Sequence, residues 1–140
     1  KDALVASDPG SAKTASEEVT DAVEETDMAL LKGEAHNLWM EQLAIINKTL
    51  QQIQTAENIE HQRNAFAPLS EALYASLKLF GGEEVAAYYQ YCPMVSDNTG
   101  AYWLSLSEEI RNPYFGEQML ACGEIRSKIN QVPGYKEKAL

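Results

Sequence analysis

Positive charge is scarce in this chain. Its 140 residues hold 11 Lys and Arg against 21 Asp and Glu, a formal net charge of −10. Nucleic acids are gripped by clustered Lys and Arg, so this balance argues against a nucleic-acid partner. It argues equally against attraction to an anionic membrane surface, and no apolar run approaches the roughly 20 residues that span a bilayer. The composition fits a soluble protein whose partners are cationic or are met away from the charged face. Enzyme signatures are missing as well. There is no nucleophile elbow, no phosphate-cradling glycine loop, no HExxH and no carboxylate pair with divided roles, so the chain is read as not an enzyme. No internal repeat or low-complexity stretch is present. Cysteine is limited to Cys92 and Cys122, and histidine to His36 and His61. A chain of this length buries roughly two thirds of its unfolded surface, so it forms one domain over residues 1–140 without needing a disulfide.

Helical periodicity fills the first part. Lys1 to Ala6 reads as the last turns of a helix that starts upstream, ended by Ser7-Asp8-Pro9-Gly10. The chain starts at Lys1 with no initiator Met or signal peptide and is read as a mature or trimmed form. Ala12, Ala15, Val19, Ala22 and Val23 follow at steps of three and four, with Ser7, Asp8 or Ser11 as cap and Pro9 suited to a first turn. Trp39, Leu43, Ile46, Leu50 and Ile53 then predict an amphipathic helix from about Glu34 to Thr55. Asn58 is the expected cap of the next helix, whose stripe runs Ile59, Phe66, Leu69, Leu73, Leu77 and Phe80. Pro68 is expected to kink it, and Gly81-Gly82 to end it. The short connections place consecutive helices antiparallel.

Beyond Gly82 the pattern changes. Val85 to Tyr91 reads as a short strand or extended segment, and Asp97-Asn98-Thr99-Gly100 as a turn. Ala101 to Leu104 is apolar enough to pack back on the helices. Ser107 to Arg111 makes at most a short helix, and Glu117 to Cys122 one or two helical turns ending at Gly123. No element is assigned between Gly123 and Gln131, and residues from about 131 to 140 read as a frayed tail. The expected fold class is therefore all-α: an antiparallel, up-down helical bundle with a loop-rich C-terminal segment carrying short helices.

What is present in place of the missing motifs is sulfur in two short segments, Cys92-Pro93-Met94 and Met119-Leu120-Ala121-Cys122. Cys92 and Met94 share a face if extended, and Met119 and Cys122 share a face if helical. Thiolate and thioether are soft donors that select Cu(I) over harder ions, whereas zinc seldom takes methionine. The candidate metal ligands are thus Cys92, Met94, Met119 and Cys122. A Cys92–Cys122 disulfide, or two ordinary buried thiols beside core methionines, accounts for the same residues. His61, near its helix start, reads as a surface or capping residue, or as a remote extra ligand if that helix end abuts the sulfur segments; His36 has less support. Tyr88, Tyr89, Tyr91, Tyr102, Trp103, Tyr114 and Phe115 flank both segments, as core packing or as a shell that excludes water. Arg111-Asn112-Pro113 offers polar groups that read as structural.

The motifs Tyr91-Cys92-Pro93-Met94, Gly100 to Ser105, Ile110 to Gly116 and Met119 to Gly123 together resemble a helical periplasmic domain of uncharacterised function. Gln62 to Ser70 resembles its central helix, and Lys1 to Ser7 the end of its first. That domain occurs alone in Bacteroidetes proteins and at the C-terminus of copper/silver efflux adaptor proteins. The resemblance covers nearly the whole chain. It implies an exported, periplasmic setting and a link to heavy-metal handling: a soluble Cu(I) or Ag(I) module serving efflux or sequestration, with an efflux adaptor or other periplasmic protein as partner. An oxidising setting equally favours a structural or protein-interaction domain with a Cys92–Cys122 disulfide and no metal.

Overall fold

A computed structural model describes residues 1–81 and 86–129. Gly82, Val85 and the expected tail from Gln131 lie outside the described residues.

A short helix α1, Asp2–Val5, leads into α2, Pro9–Glu24. Asp8 caps α2, its carboxylate accepting the Ser11 N–H at 3.0 Å while Pro9 sits at the first position. That hydrogen bond holds the exposed Asp8 carboxyl below its ordinary range. A 3₁₀ turn, Met28–Leu30, precedes α3, Glu34–Thr55. Asn58 caps α4, Ile59–Phe80, which continues through Pro68 and ends at Gly81. The stripe of α3 meets that of α4 along one seam. Ile46, Leu50 and Ile53 pack against Ala65, Leu69 and Ala72, with Val19 and Val23 of α2 closing the side. The alanines let the backbones approach, and each fully buried Leu or Ile contributes about 1.5–3 kcal/mol.

The C-terminal part corrects the all-α expectation. Three strands, β1 (Ala87–Cys92), β2 (Ala101–Ser105) and β3 (Glu124–Ile129), form an antiparallel sheet in the order β2-β1-β3. The physical reason is long-range pairing: β3 returns to β1 across more than 30 residues, a partnership no local period announces. Ser107 to Arg111 forms bends and no helix. The helix expected over Glu117 to Cys122 is a 3₁₀ turn, Gly116–Met119, which stops before the cysteine. Between β1 and β2 the chain reverses through Val95–Asn98, where Ser96, Asp97 and Asn98 all take positive φ.

The register divides the sheet into two faces. Gln90 opposite Trp103 and Cys92 opposite Ala101 point to a second apolar cluster with Val95 and Tyr114, against which Phe66 and Ala67 of α4 pack. The other face carries a column of tyrosines. Tyr74 of α4 stacks on Tyr89 at 3.7 Å, Tyr89 on Tyr102 at 4.6 Å, and Tyr91 leans on Tyr102 at 4.6 Å. Burial pushes the Tyr89 phenol above its ordinary range. Arg126 lies over the Tyr91 ring, 4.5 Å from its centre.

Arg63 ties the two parts together. Its guanidinium, nearly buried, donates to the Pro113 carbonyl at 2.8 Å, the Leu4 carbonyl at 2.9 Å and the Ser7 hydroxyl at 3.1 Å. Charged donors make stronger bonds than neutral ones, so this residue joins α1, α4 and the C-terminal loop.

Candidate functional site

Strand pairing and the turn that precedes β3 bring the cysteines together. Tyr91 stands opposite Glu124. Beyond that pair the chain turns at Gly123, and the Cys122 thiol meets that of Cys92 in a side-chain hydrogen bond. Both are free thiols, Cys92 fully buried at 0 % exposure and Cys122 half-buried. Hydrogen bonding to Cys92, followed by burial, pushes the Cys122 thiol up to about 11. At neutral pH that thiol keeps its proton and is a poor nucleophile.

Two residues outside the sulfur motifs make this approach feasible. Gly123 has φ +150°, and a Cβ there would lie 2.9 Å from Trp103 Cη2 and 3.0 Å from the Tyr91 carbonyl oxygen. Only glycine lets the chain pass this close to the indole. Asn112, fully buried, fixes the other side. Its Nδ2 donates to the Cys122 carbonyl at 2.8 Å, and its Oδ1 accepts the Tyr114 and Phe115 N–H groups at 2.8 and 3.1 Å. Its backbone N–H donates to the Leu120 carbonyl at 2.7 Å. One side chain thus folds the loop from 112 to 122 and holds the cysteine at its end.

The cover is aromatic. Trp103 is fully buried, and its Nε1 donates to Gln90 Oε1 at 2.7 Å. Gln90 Nε2 donates in turn to the Ser107 carbonyl at 3.0 Å. Tyr114 packs edge-on to Trp103 at 6.0 Å and donates its hydroxyl to the Tyr102 carbonyl. Burial raises the Tyr114 phenol well above its ordinary range. Water is therefore kept from the Cys92 side of the pair.

The structure unites the two thiols and places the other candidate ligands differently. Met94 lies past the end of β1 and is 48 % exposed. Met119 is half-buried at the end of its 3₁₀ turn, where its carbonyl accepts the Cys122 N–H at 3.1 Å. It precedes Cys122 by a turn of chain and shares no helical face with it. His61 is exposed in the first turn of α4, its N–H donating to Asn58 Oδ1, and His36 is half-buried in the first turn of α3. Among the described residues, no three of His, Cys, Asp and Glu gather into a metal-holding group. The arrangement offers two facing sulfurs, able to hold a soft cation between them or to join as a disulfide on oxidation.

The sequence reading missed Gln90, took Gly123 only as a helix stop and did not see the reach of Asn112. Gln90 had a signal: a polar residue at an inward position of a strand needs a buried partner. Asn112 had a weaker one, since Asn before Pro favours a turn. Among the described residues, no helix is long and apolar enough to cross a membrane.

No curated protein and no solved structure matches the chain. A family model matches residues 1–84, which takes in α1 to α4 and stops short of both cysteines. The chain belongs to the family described as Protein of unknown function (DUF3347).

Proposed function

We propose that this chain is an exported, soluble module that binds Cu(I) or Ag(I) between Cys92 and Cys122 and serves efflux or sequestration of the metal. The observation that carries the reading is the pair of unbonded cysteines meeting beside Trp103 and Tyr114. A soft monovalent ion takes two thiolates readily, and the dry surroundings strengthen that bond. Met119, three residues before Cys122, is the half-buried thioether of the two, and Met94, two residues after Cys92, joins only by turning inward from the surface. His61 remains a remote ligand in this scheme. The half-buried Cys122 is the side from which an ion enters. The resemblance to a domain found in copper/silver efflux adaptors supports such an adaptor, or another periplasmic protein, as the partner that receives it.

Cysteine ligands shed their protons when metal binds, and thioethers have none to shed. Anaerobic addition of one equivalent of Cu(I) to reduced protein in weakly buffered solution at pH 7 will release about two protons per ion. The same addition to a Cys92→Ser, Cys122→Ser variant will release almost none. Equal release from both proteins overturns the reading.

The same apposition favours a second reading, a structural or protein-interaction domain stapled by a Cys92–Cys122 disulfide. Counting thiols in freshly isolated protein under denaturing conditions separates the two. No free thiol, with no metal uptake after reduction, supports the staple.

A further inference from the structure

A second concentration of soft donors lies far along the chain from the cysteines. The groove between α2 and α3, about 410 Å³, is lined by Met28 and Met40 together. These are the two methionines outside the sulfur motifs. On the α3 side the lining follows one helical stripe: Met40, Leu43, Asn47, Gln51 and Gln54. The next position of that stripe toward the N-terminus, four residues before Met40, is His36.

Met28 is held in place. Trp39 Nε1 donates to its sulfur at 3.1 Å. A thioether has two lone pairs, so one remains for a ligand after the indole has taken the other. Trp39 is itself anchored in the helical core, edge-on to Phe80 at 6.0 Å. Met40, on α3, is 44 % exposed and reachable from solvent. The described lining includes no Lys or Arg, and Glu24 adds a negative charge. The groove therefore favours a cation, and its sulfur donors favour a soft one.

We propose that Met28 and Met40, with His36 as third ligand, form a thiol-free site for a soft monovalent cation such as Ag(I) or Cu(I) in the α2–α3 groove. This site is independent of the thiol pair. Thioethers do not join into disulfides, so it keeps its ligands when Cys92 and Cys122 are oxidised together.

The test uses the full chain carrying Cys92→Ser and Cys122→Ser, which removes the thiol site, with methyl-¹³C methionine and Ag(I) nitrate as the probe. The methyl signals of Met28 and Met40 are expected to shift together and saturate at one equivalent, while those of Met94 and Met119 stay. Adding Met28→Leu and Met40→Leu, which nearly conserve volume, is expected to abolish binding without unfolding the chain. His36→Asn is expected to weaken binding while leaving both methionine signals responsive. Shifts spread evenly over all four methionines, or Ag(I) binding unchanged by the two Leu substitutions, overturn the proposal. Neither result bears on proton release by the thiol pair, so the two sites stand or fall separately.

Discussion

The helical part and the sheet part of this molecule are held together by different means. Residues 1–81 rely on repetition: Ile, Leu, Val and Ala recur along three long helices, and several positions share each packing role. Residues 86–129 rely on single side chains with several duties each. Gln90 serves Trp103 and the 107 carbonyl, Asn112 folds a loop and holds Cys122, and Gly123 clears the indole. Repetition tolerates exchange, whereas a side chain with three buried partners does not. The family match spans the repetitive part, and the thiol pair lies in the other. Membership therefore vouches for the scaffold and leaves the sulfur chemistry to be tested directly.

That contrast can be broken, starting with its largest effect. Trp103→Ala removes the most bulky fully buried side chain and leaves Gln90 Oε1 without its donor. It is expected to cost about 3–5 kcal/mol or to prevent folding, read by urea denaturation. Asn112→Ala strands the Tyr114 N–H and the Cys122 carbonyl, at a cost of about 1–3 kcal/mol per group left unpaired. Its sharper readout is diamide oxidation of the thiol pair, which is expected to slow because Cys122 loses its anchor. Gly123→Ala forces a side chain onto Trp103 at positive φ, an expected cost of about 1–3 kcal/mol, again with slower closure of the disulfide. Ile46→Val in the helical seam is expected to cost only about 0.5–1.5 kcal/mol and to leave diamide oxidation unchanged. A seam substitution that slowed oxidation as much as Asn112→Ala would erase the distinction between the two parts.

The pH dependence sharpens the same contrast at small energetic cost. A thiol raised to about 11 stays protonated through the range where an ordinary cysteine ionises. Alkylation of Cys122 in the native protein is thus expected to be slow at pH 8 and to keep rising toward pH 11. Cys92→Ala removes the hydrogen bond that is the main cause of the shift, so the rise moves to lower pH. Identical profiles for the two proteins would mean that the thiols do not meet.

Legibility from sequence follows the same divide. The bounds Glu34–Thr55, the Asn58 cap and the stop at Gly81 were all readable, because helix periodicity and capping are local. The turn before Gly100 and an extended segment leading into Cys92 were readable for the same reason. β3 was not. Its side chains are exposed or half-exposed except for Ile129, so no inward alternation marks it, and its partner lies far back in the chain. The position of Cys122 was half legible: a meeting with Cys92 was one of the alternatives that the two sulfur segments left open, beside two separate buried thiols. Its backbone is a turn because Asn112 captures the Leu120 carbonyl and Gly123 redirects the chain. Met94 and Met119 shared a spacing with the cysteines, yet one lies at the surface and the other a turn away.

The most direct test of the thiol pair as a metal site is an anaerobic Cu(I) competition titration against a chelator that sets the free-ion level. Reduced native protein is predicted to show a tight site that disappears in the Cys92→Ser, Cys122→Ser variant, leaving at most weaker binding elsewhere. Native protein and variant drawing Cu(I) from the chelator with the same affinity and the same stoichiometry would contradict it.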